Sequence, residues 1–179
     1  MDPDALARIG DALAAQPDRQ RALELLLTEA RRLTRAEAGT VYLREGDRLR
    51  FAAVQNDVLA RRFGDDEARR RLAAEPLRLV EPSVASYVAL TRGEVNIPDV
   101  YEIPPGRPYA FDRHVDAVNG YRTQSMLAMP LRDGRGEVVG VIQLINARDD
   151  GGTVVAFDRE GEELLAALLT QFTRMPAAQ

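Results

Sequence analysis

Val138-Val139-Gly140-Val141-Ile142-Gln143-Leu144-Ile145 decides the architecture. The run is rich in β-branched residues, and Gln143 is its one polar side chain. Successive side chains of a strand point to opposite faces, so this strand is apolar on both and must be covered on both. Just upstream, Asp133-Gly134-Arg135-Gly136 supplies turn residues between two β-rich runs, residues 123–132 and 137–147. That spacing predicts a hairpin, and so an antiparallel pair held between two layers. Pro130 inside the first run has no N–H for a ladder and predicts a bulge or a locally unpaired edge.

Working outward, residues 40–45 and 48–54 flank Gly46-Asp47 and predict a second hairpin, and residues 77–80 a short strand. Residues 84–90 read as a helix closed near Gly93. At the N-terminus, Asp2-Pro3 gives a cap and a first-turn proline to a helix carrying Leu6, Ile9 and Leu13. Pro17-Asp18 interrupts it and starts a second helix, striped by Ala22, Leu26, Ala30 and Leu33, widened by Leu23 and Leu27, and ended by Ala38-Gly39. Residues 65–74 form a surface helix. There Asp65, Asp66 and Glu67 precede Arg69, Arg70 and Arg71 by one turn, each pair worth only ~0.2–0.5 kcal/mol. A closing helix runs from Arg159 to about Met175, capped by Asp158, with two apolar columns: Leu164, Leu168, Phe172 and Met175, then Leu165 and Leu169. One column packs on the sheet and the other is left for the N-terminal helix or another chain. Residues 99–120, rich in Pro, Gly, Tyr and Asp, form a long irregular connection of the kind that is usually functional. The pattern predicts an α+β domain: an antiparallel sheet with terminal helices on one face and the irregular segment on the other.

Composition narrows the function. The 179 residues suit one domain, or a domain with an extension. There is no cysteine, which removes disulfides, thiolate nucleophiles, cysteine-zinc sites and thioether-linked chromophores. The only histidine is His114, and the net charge of -4 leaves no basic excess for nucleic acid. No apolar run reaches the ~20 residues that span a bilayer, and the acidic N-terminus is unlike a signal peptide, so a cytoplasmic location without membrane contact is expected.

Asn96-Ile97-Pro98-Asp99-Val100-Tyr101, Gly120-Tyr121-Arg122-Thr123, Met129-Pro130-Leu131 and Gly140 through Asn146 resemble the GAF domain in order and spacing, over residues 18–174. Asn56-Asp57, Pro104-Pro105, Pro108-Tyr109 and Phe111 look most like the GAF domains preceding HD-GYP phosphodiesterase modules in bacterial signalling proteins. The resemblance implies a GAF-like sheet of five or six antiparallel strands, terminal helices on one face that often dimerise, and short helices and loops over a pocket on the other. It divides the chain into a helical extension (1–17), the GAF domain (18–175) and a tail (176–179).

The resemblance also implies site residues. The signature of cyclic-nucleotide-binding members falls here on Asn146, Ala147, Phe157, Gly161 and Glu162, with its Lys and Asp replaced by Ala147 and Gly161. Those two form a salt bridge in the family; losing both leaves no unpaired buried charge, but it counts against faithful cyclic-nucleotide binding. Arg148 offers a substitute cation whose partner lies elsewhere. Val84 and Ala85 match the helix start that meets a cyclic phosphate, although Glu81 would repel an anion if turned inward and Pro82 has no N–H. Asp116 and Thr123 match pocket contacts, or form a loop-capping pair. Gln55 and Asn56 replace a stacking aromatic and an acid, leaving two amides. Tyr101, Tyr109, Phe111 and Tyr121 crowd one region as pocket wall or ordinary core. The ligand-binding set is therefore Asn56, Val84, Ala85, Tyr109, Asp116, Tyr121 and Thr123, with no catalytic residue, no metal and no identified cofactor. Asp112-Arg113-His114-Val115-Asp116 brings a histidine between carboxylates, but on a helix His114 points away from the face that Asp112 and Asp116 share. Family members that reduce methionine sulfoxide or attach bilins normally need cysteine.

The expected function is a non-catalytic sensory domain taking a small molecule, a cyclic nucleotide favoured, and signalling through a homodimer of terminal helices to an output domain such as a phosphodiesterase. The moving seam would be residues 164–175. A ligand-free structural dimerisation module is the alternative, and an enzyme using His114 a third reading.

Overall fold

The computed structural model describes residues 3–73 and 75–174; the cap expected at Asp2 and the final Met175 lie outside the described residues. Helix α1 (Pro3–Ala14) and helix α2 (Arg19–Thr34) part at Pro17, and Asp18 caps α2 by accepting the Arg21 N–H at 2.8 Å. α2 ends before the expected Ala38-Gly39 stop. Arg35 takes the left-handed conformation (φ 57°), and strand β1 (Ala36–Glu45) begins at once. Gly39 serves packing instead: a Cβ there would sit 2.8 Å from Leu27 Cδ1 and 3.0 Å from the Gln143 carbonyl oxygen.

Across Gly46-Asp47 the chain returns as β2 (Arg48–Asn56), then forms α3 (Asp57–Phe63), α4 (Asp65–Leu72), β3 (Leu77–Arg78), α5 (Val84–Thr91) and β4 (Val95–Ile97). The connection expected to be irregular contains a 3-10 turn (Val100–Glu102) and α6 (His114–Asn119) before β5 (Met126–Arg132), β6 (Val138–Arg148), β7 (Val154–Val155) and α7 (Arg159–Thr173). Neither α3 nor α6 was expected. On α4, Glu67 holds Arg71 as expected at 3.0 Å and also Arg70 at 2.8 Å.

Among the described residues the sheet has seven strands in the order β3-β2-β1-β6-β5-β4, with β7 beside β6 and every pairing antiparallel. Pro130 sits where β5 has outrun β4, whose last partner is Ala128, and the β5–β6 register slips between Leu131 and Arg132. Both consequences expected of that proline are present.

β6 is covered on both faces. Ile142 and Leu144 enter a core with Leu23, Leu26 and Leu27 of α2 and Leu165, Leu168, Leu169 and Phe172 of α7. Val141 and Ile145 enter a second core with Val84, Val88 and Ala89 of α5. α1 packs on α7 as well as α2, so Leu168 and Phe172 of one apolar column and Leu165 and Leu169 of the other find cover inside the chain. Of the expected moving seam, Leu168 and Phe172 are buried and Leu164 is half-buried. No described helix is long and apolar enough to cross a membrane.

Candidate functional site

The second face is not filled. Between β1, β2 and β6 below, and α5, α6 and residues 110–112 above, lies a cavity of about 280 Å³. Thr40, Tyr42, Phe51, Val54, Gln143 and Ile145 make its floor; Ser83, Val84 and Ala85 stand at one side; Phe111, Asp112, Val115, Asp116 and Asn119 form the roof, with Tyr121 and Thr123 at the roof's end. The lining is mostly apolar, and it includes no basic side chain among the described residues.

Ser83 caps α5: its Oγ accepts the Ser86 N–H at 3.1 Å and its carbonyl the Tyr87 N–H at 3.0 Å. Ser83 pairs with Ala110 as an isolated parallel bridge, which sets the Val84 N–H against the Ala110 carbonyl and leaves the Ala85 N–H as the donor this helix start offers an anion. Glu81 is exposed and outside the lining, so it does not face that end.

The roof is latched by Asp116. Its carboxylate, 4 % exposed, accepts the Thr123 N–H and the Thr123 hydroxyl, both at 2.8 Å, and the Tyr101 hydroxyl at 2.8 Å. The Tyr101 ring lies under two guanidiniums, Arg113 at 4.1 Å and Arg122 at 3.5 Å, and Arg122 grips Asp99 with two hydrogen bonds of 2.9 Å. Ala110 donates to the Pro82 carbonyl at 2.7 Å and stitches the roof to the start of α5.

A buried polar knot closes the far end. Glu37, 5 % exposed, pairs with Arg148 and accepts the Tyr121 hydroxyl at 2.5 Å and the Asn146 amide at 3.1 Å. Asn146, at φ 58°, also donates to the Tyr121 oxygen (3.0 Å) and the Arg122 carbonyl (2.9 Å), and accepts the Gln124 N–H (2.7 Å). Burial pushes the Tyr121 phenol up to about 12, against the pull of hydrogen bonds from Asn146 and Asn56. Burial likewise raises Tyr42 on the floor.

Of the residues expected to bind ligand, Asn56, Val84, Ala85, Asp116, Tyr121 and Thr123 line the cavity together. Tyr109 does not: its ring packs on Tyr87, centroids 5.1 Å apart, and ties the roof segment to α5. Tyr101 is likewise a packing residue, whereas Phe111 and Tyr121 reach the cavity. Of the two amides, Asn56 caps α3 through the Leu59 N–H at 3.0 Å. Gln55 turns its side chain to α2, accepting from Arg31 at 2.8 Å and donating to Thr28 at 3.0 Å. Asp116 and Thr123 form the loop-capping pair. His114 is exposed; its N–H donates to Asp112 at 2.9 Å, and Asp116 faces Thr123 instead. Glu37 is the partner Arg148 required, and it escaped the sequence reading; its one signal was a carboxylate between Ala36 and Ala38 at the head of a buried strand. In the signature region Ala147 donates to Ser125 Oγ at 3.1 Å, and Asn96 clasps Glu162 at 2.5 Å and the Phe157 carbonyl at 2.9 Å.

An antiparallel sheet sealed by helices on one face and hollowed under a latched roof on the other defines an α+β domain with a roofed pocket. The chain belongs to the GAF domain family, whose profile matches residues 18–174. Among curated proteins it is 41% identical over 63 residues to a dual cyclic-AMP and cyclic-GMP phosphodiesterase 11 of Drosophila melanogaster, and 35% identical over 86 residues to the corresponding 11A enzyme of Takifugu rubripes. Those matches cover 35% and 48% of this chain but only 4% and 9% of the relatives' own lengths. Among solved structures, the GAF domain of an Acinetobacter phosphoenolpyruvate-protein phosphotransferase superposes with TM-score 0.67 at 17% identity, over 95% of this chain and 89% of that one. The free methionine-R-sulfoxide reductase of Neisseria meningitidis, solved with its substrate, superposes with TM-score 0.60 at 18% identity, over 94% and 87%. At such identities these structures speak for the fold.

Proposed function

We propose that this chain is the non-catalytic, small-molecule-sensing domain of a bacterial cytoplasmic signalling protein, residues 18–175 forming the sensor, 1–17 a helical extension and 176–179 a tail. Its ligand is a cyclic nucleotide or a molecule of similar size, and its output domain is a phosphodiesterase such as an HD-GYP module. The observation that carries this reading is the roofed, mostly apolar cavity with the start of α5 at one end. One anionic group docks there, and the ring system lies against Phe51 and Phe111. The phosphodiesterase names of the curated relatives support the same ligand class. Ligand that binds only the closed roof shifts the population toward it, and the β6–β7 turn carries the change to the terminal helices. Two copies pair along α7 beside Leu164, which is half-buried and outside the helix-side core.

A second reading has its own support: Asp116 already holds Thr123, and Tyr121 already holds Glu37, without a ligand, as a purely structural dimerisation module requires. Native mass spectrometry for a retained molecule and the subunit count, with thermal melts in cyclic AMP and cyclic GMP, separates the two. At ligand ~100 times Kd, the sensor reading expects ~2.7 kcal/mol of stabilisation, a rise of roughly 5–10 °C. No rise with any cyclic mono- or dinucleotide, and no retained molecule, overturns it. A monomer at micromolar concentration overturns the dimer.

A further inference from the structure

The polar side chains around the cavity are accounted for within the chain, with one exception that stands out by position. Asp116, Tyr121, Asn56 and Ser83 each have hydrogen-bond partners. Gln143 has none for its side chain among the described residues, although it is half-buried and lines the floor. It is also the only polar residue on the central part of β6, placed opposite Thr40 on β1 and Ala128 on β5, where Val141 and Ile145 on the same face are apolar. A leucine would fit the strand pattern at least as well. No buried side-chain nitrogen or oxygen among the described residues lacks a partner, so the Gln143 amide is open to the space of the cavity and free to meet what enters it.

The surroundings define what that is. Tyr42 and Phe51, ring centroids 4.8 Å apart, form an aromatic floor beside Gln143, and Phe111 closes from above. Flat rings suit that slot. A primary amide offers one acceptor and one donor side by side, the complement of a heterocycle edge that carries a donor next to an acceptor. Rotated by half a turn it serves either order, the amino–imine edge of an adenine or the lactam edge of a guanine. No basic side chain lines the cavity, so an anionic group has only the start of α5 to meet it, which suits a singly charged diester.

Resting on the cyclic-nucleotide reading above, the geometry points to Gln143 as the specificity-determining residue, reading the hydrogen-bonding edge of a purine base and accepting both purines by amide rotation. The test is calorimetric titration of the parent protein, Gln143→Leu and Gln143→Glu with cyclic AMP and cyclic GMP, with thermal melts of each protein free of nucleotide. The parent binds both nucleotides with similar affinity. Gln143→Leu weakens both ~10-fold or more, while the nucleotide-free variant melts at or above the parent temperature, because no buried contact is lost. Gln143→Glu, now an acceptor only, turns the ratio toward cyclic GMP by ~10-fold or more. If the parent binds but both variants keep its affinities and ratio, the assignment of Gln143 fails while the sensor reading survives. A nucleotide-free Gln143→Leu protein that melts well below the parent overturns the assignment too, by making the amide structural. If the parent binds neither nucleotide, the assignment of Gln143 falls together with the cyclic-mononucleotide reading it rests on.

Discussion

The two faces of the sheet are built from one strand pair and to opposite ends. On the helix side, Leu23, Leu26, Leu27, Leu144, Leu165 and Leu168 are each fully excluded from water in one core cluster. On the other side the elements are short, the aliphatic core of Val84, Val88, Ile97 and Val141 is joined by aromatic side chains, and a space is left open between them. Burying one leucine contributes about 1.5–3 kcal/mol, so the helix face supplies stability. That surplus lets the opposite face keep a hollow. The contrast is sharpest between adjacent residues of β6: Leu144 lies in the leucine core, Ile145 on the cavity floor. Leu144→Ala should cost about 2–5 kcal/mol, and Ile145→Ala about 1–2 kcal/mol, since it enlarges a space that water already reaches. Urea denaturation of the two variants measures the difference. Equal losses would mean that the cavity face is as tightly built as the helix face.

Next in size is the knot where the faces meet. Glu37→Gln leaves Arg148 without its carboxylate and weakens the acceptor held by Tyr121 and Asn146. Arg148 is 38% exposed and can turn to water, so the loss should be about 1–3 kcal/mol, below the cost of breaking a fully buried pair. A double-mutant cycle with Arg148→Met should show positive coupling. A null coupling would make Arg148 a surface residue and Tyr121 the true partner of Glu37.

How far these contrasts were legible follows from the range of the interactions that set them. The two-faced run of β6, the turns at Gly46-Asp47 and Asp133–Gly136, and the caps at Asp18 and Asp158 act within a few residues, and β1, β2, β5, β6 and the long helices could be read from them, unlike the short β4 and β7. α3 and α6 could not. One is started by Asn56, a residue that ends a strand, and the other spans only residues 114–119 and is held by what Asp116 finds across the roof. The pairing of Glu37 with Arg148 depends on the β1–β6 register, which no local pattern reveals. Tyr109 and Tyr121 look alike as sequence. Only the path of the roof decides that one packs on Tyr87 and the other reaches the cavity.

Asp116→Asn tests whether the roof is an independently opening unit. An amide cannot accept from the Thr123 N–H, the Thr123 hydroxyl and the Tyr101 hydroxyl together, so one or two hydrogen bonds are lost, about 1–2 kcal/mol. Hydrogen exchange should speed up across residues 99–122 and stay unchanged in α2 and α7. Acceleration in α7 as well would erase the distinction between the faces.

The smallest expected effect concerns alkali. The phenols of Tyr42, Tyr101 and Tyr121 are all raised, burial being the first cause in each, and all three belong to the cavity side. In the unfolded chain a phenol loses its proton near pH ~10. Folded Tyr121 keeps its proton up to about 12. Between these values the native state holds more protons than the unfolded one, so stability falls as pH rises through that window; below it the contribution is fully present. Denaturation curves from pH 8 to 12 should therefore slope downward above pH ~10, and Tyr121→Phe should flatten the slope only in part, because Tyr42 and Tyr101 still titrate late. The variant also loses the hydroxyl that Glu37 accepts, a cost present at every pH, so the informative quantity is the slope. A slope unchanged by Tyr121→Phe would place that phenol in water, and with it the end of the cavity where the two faces of the sheet are joined.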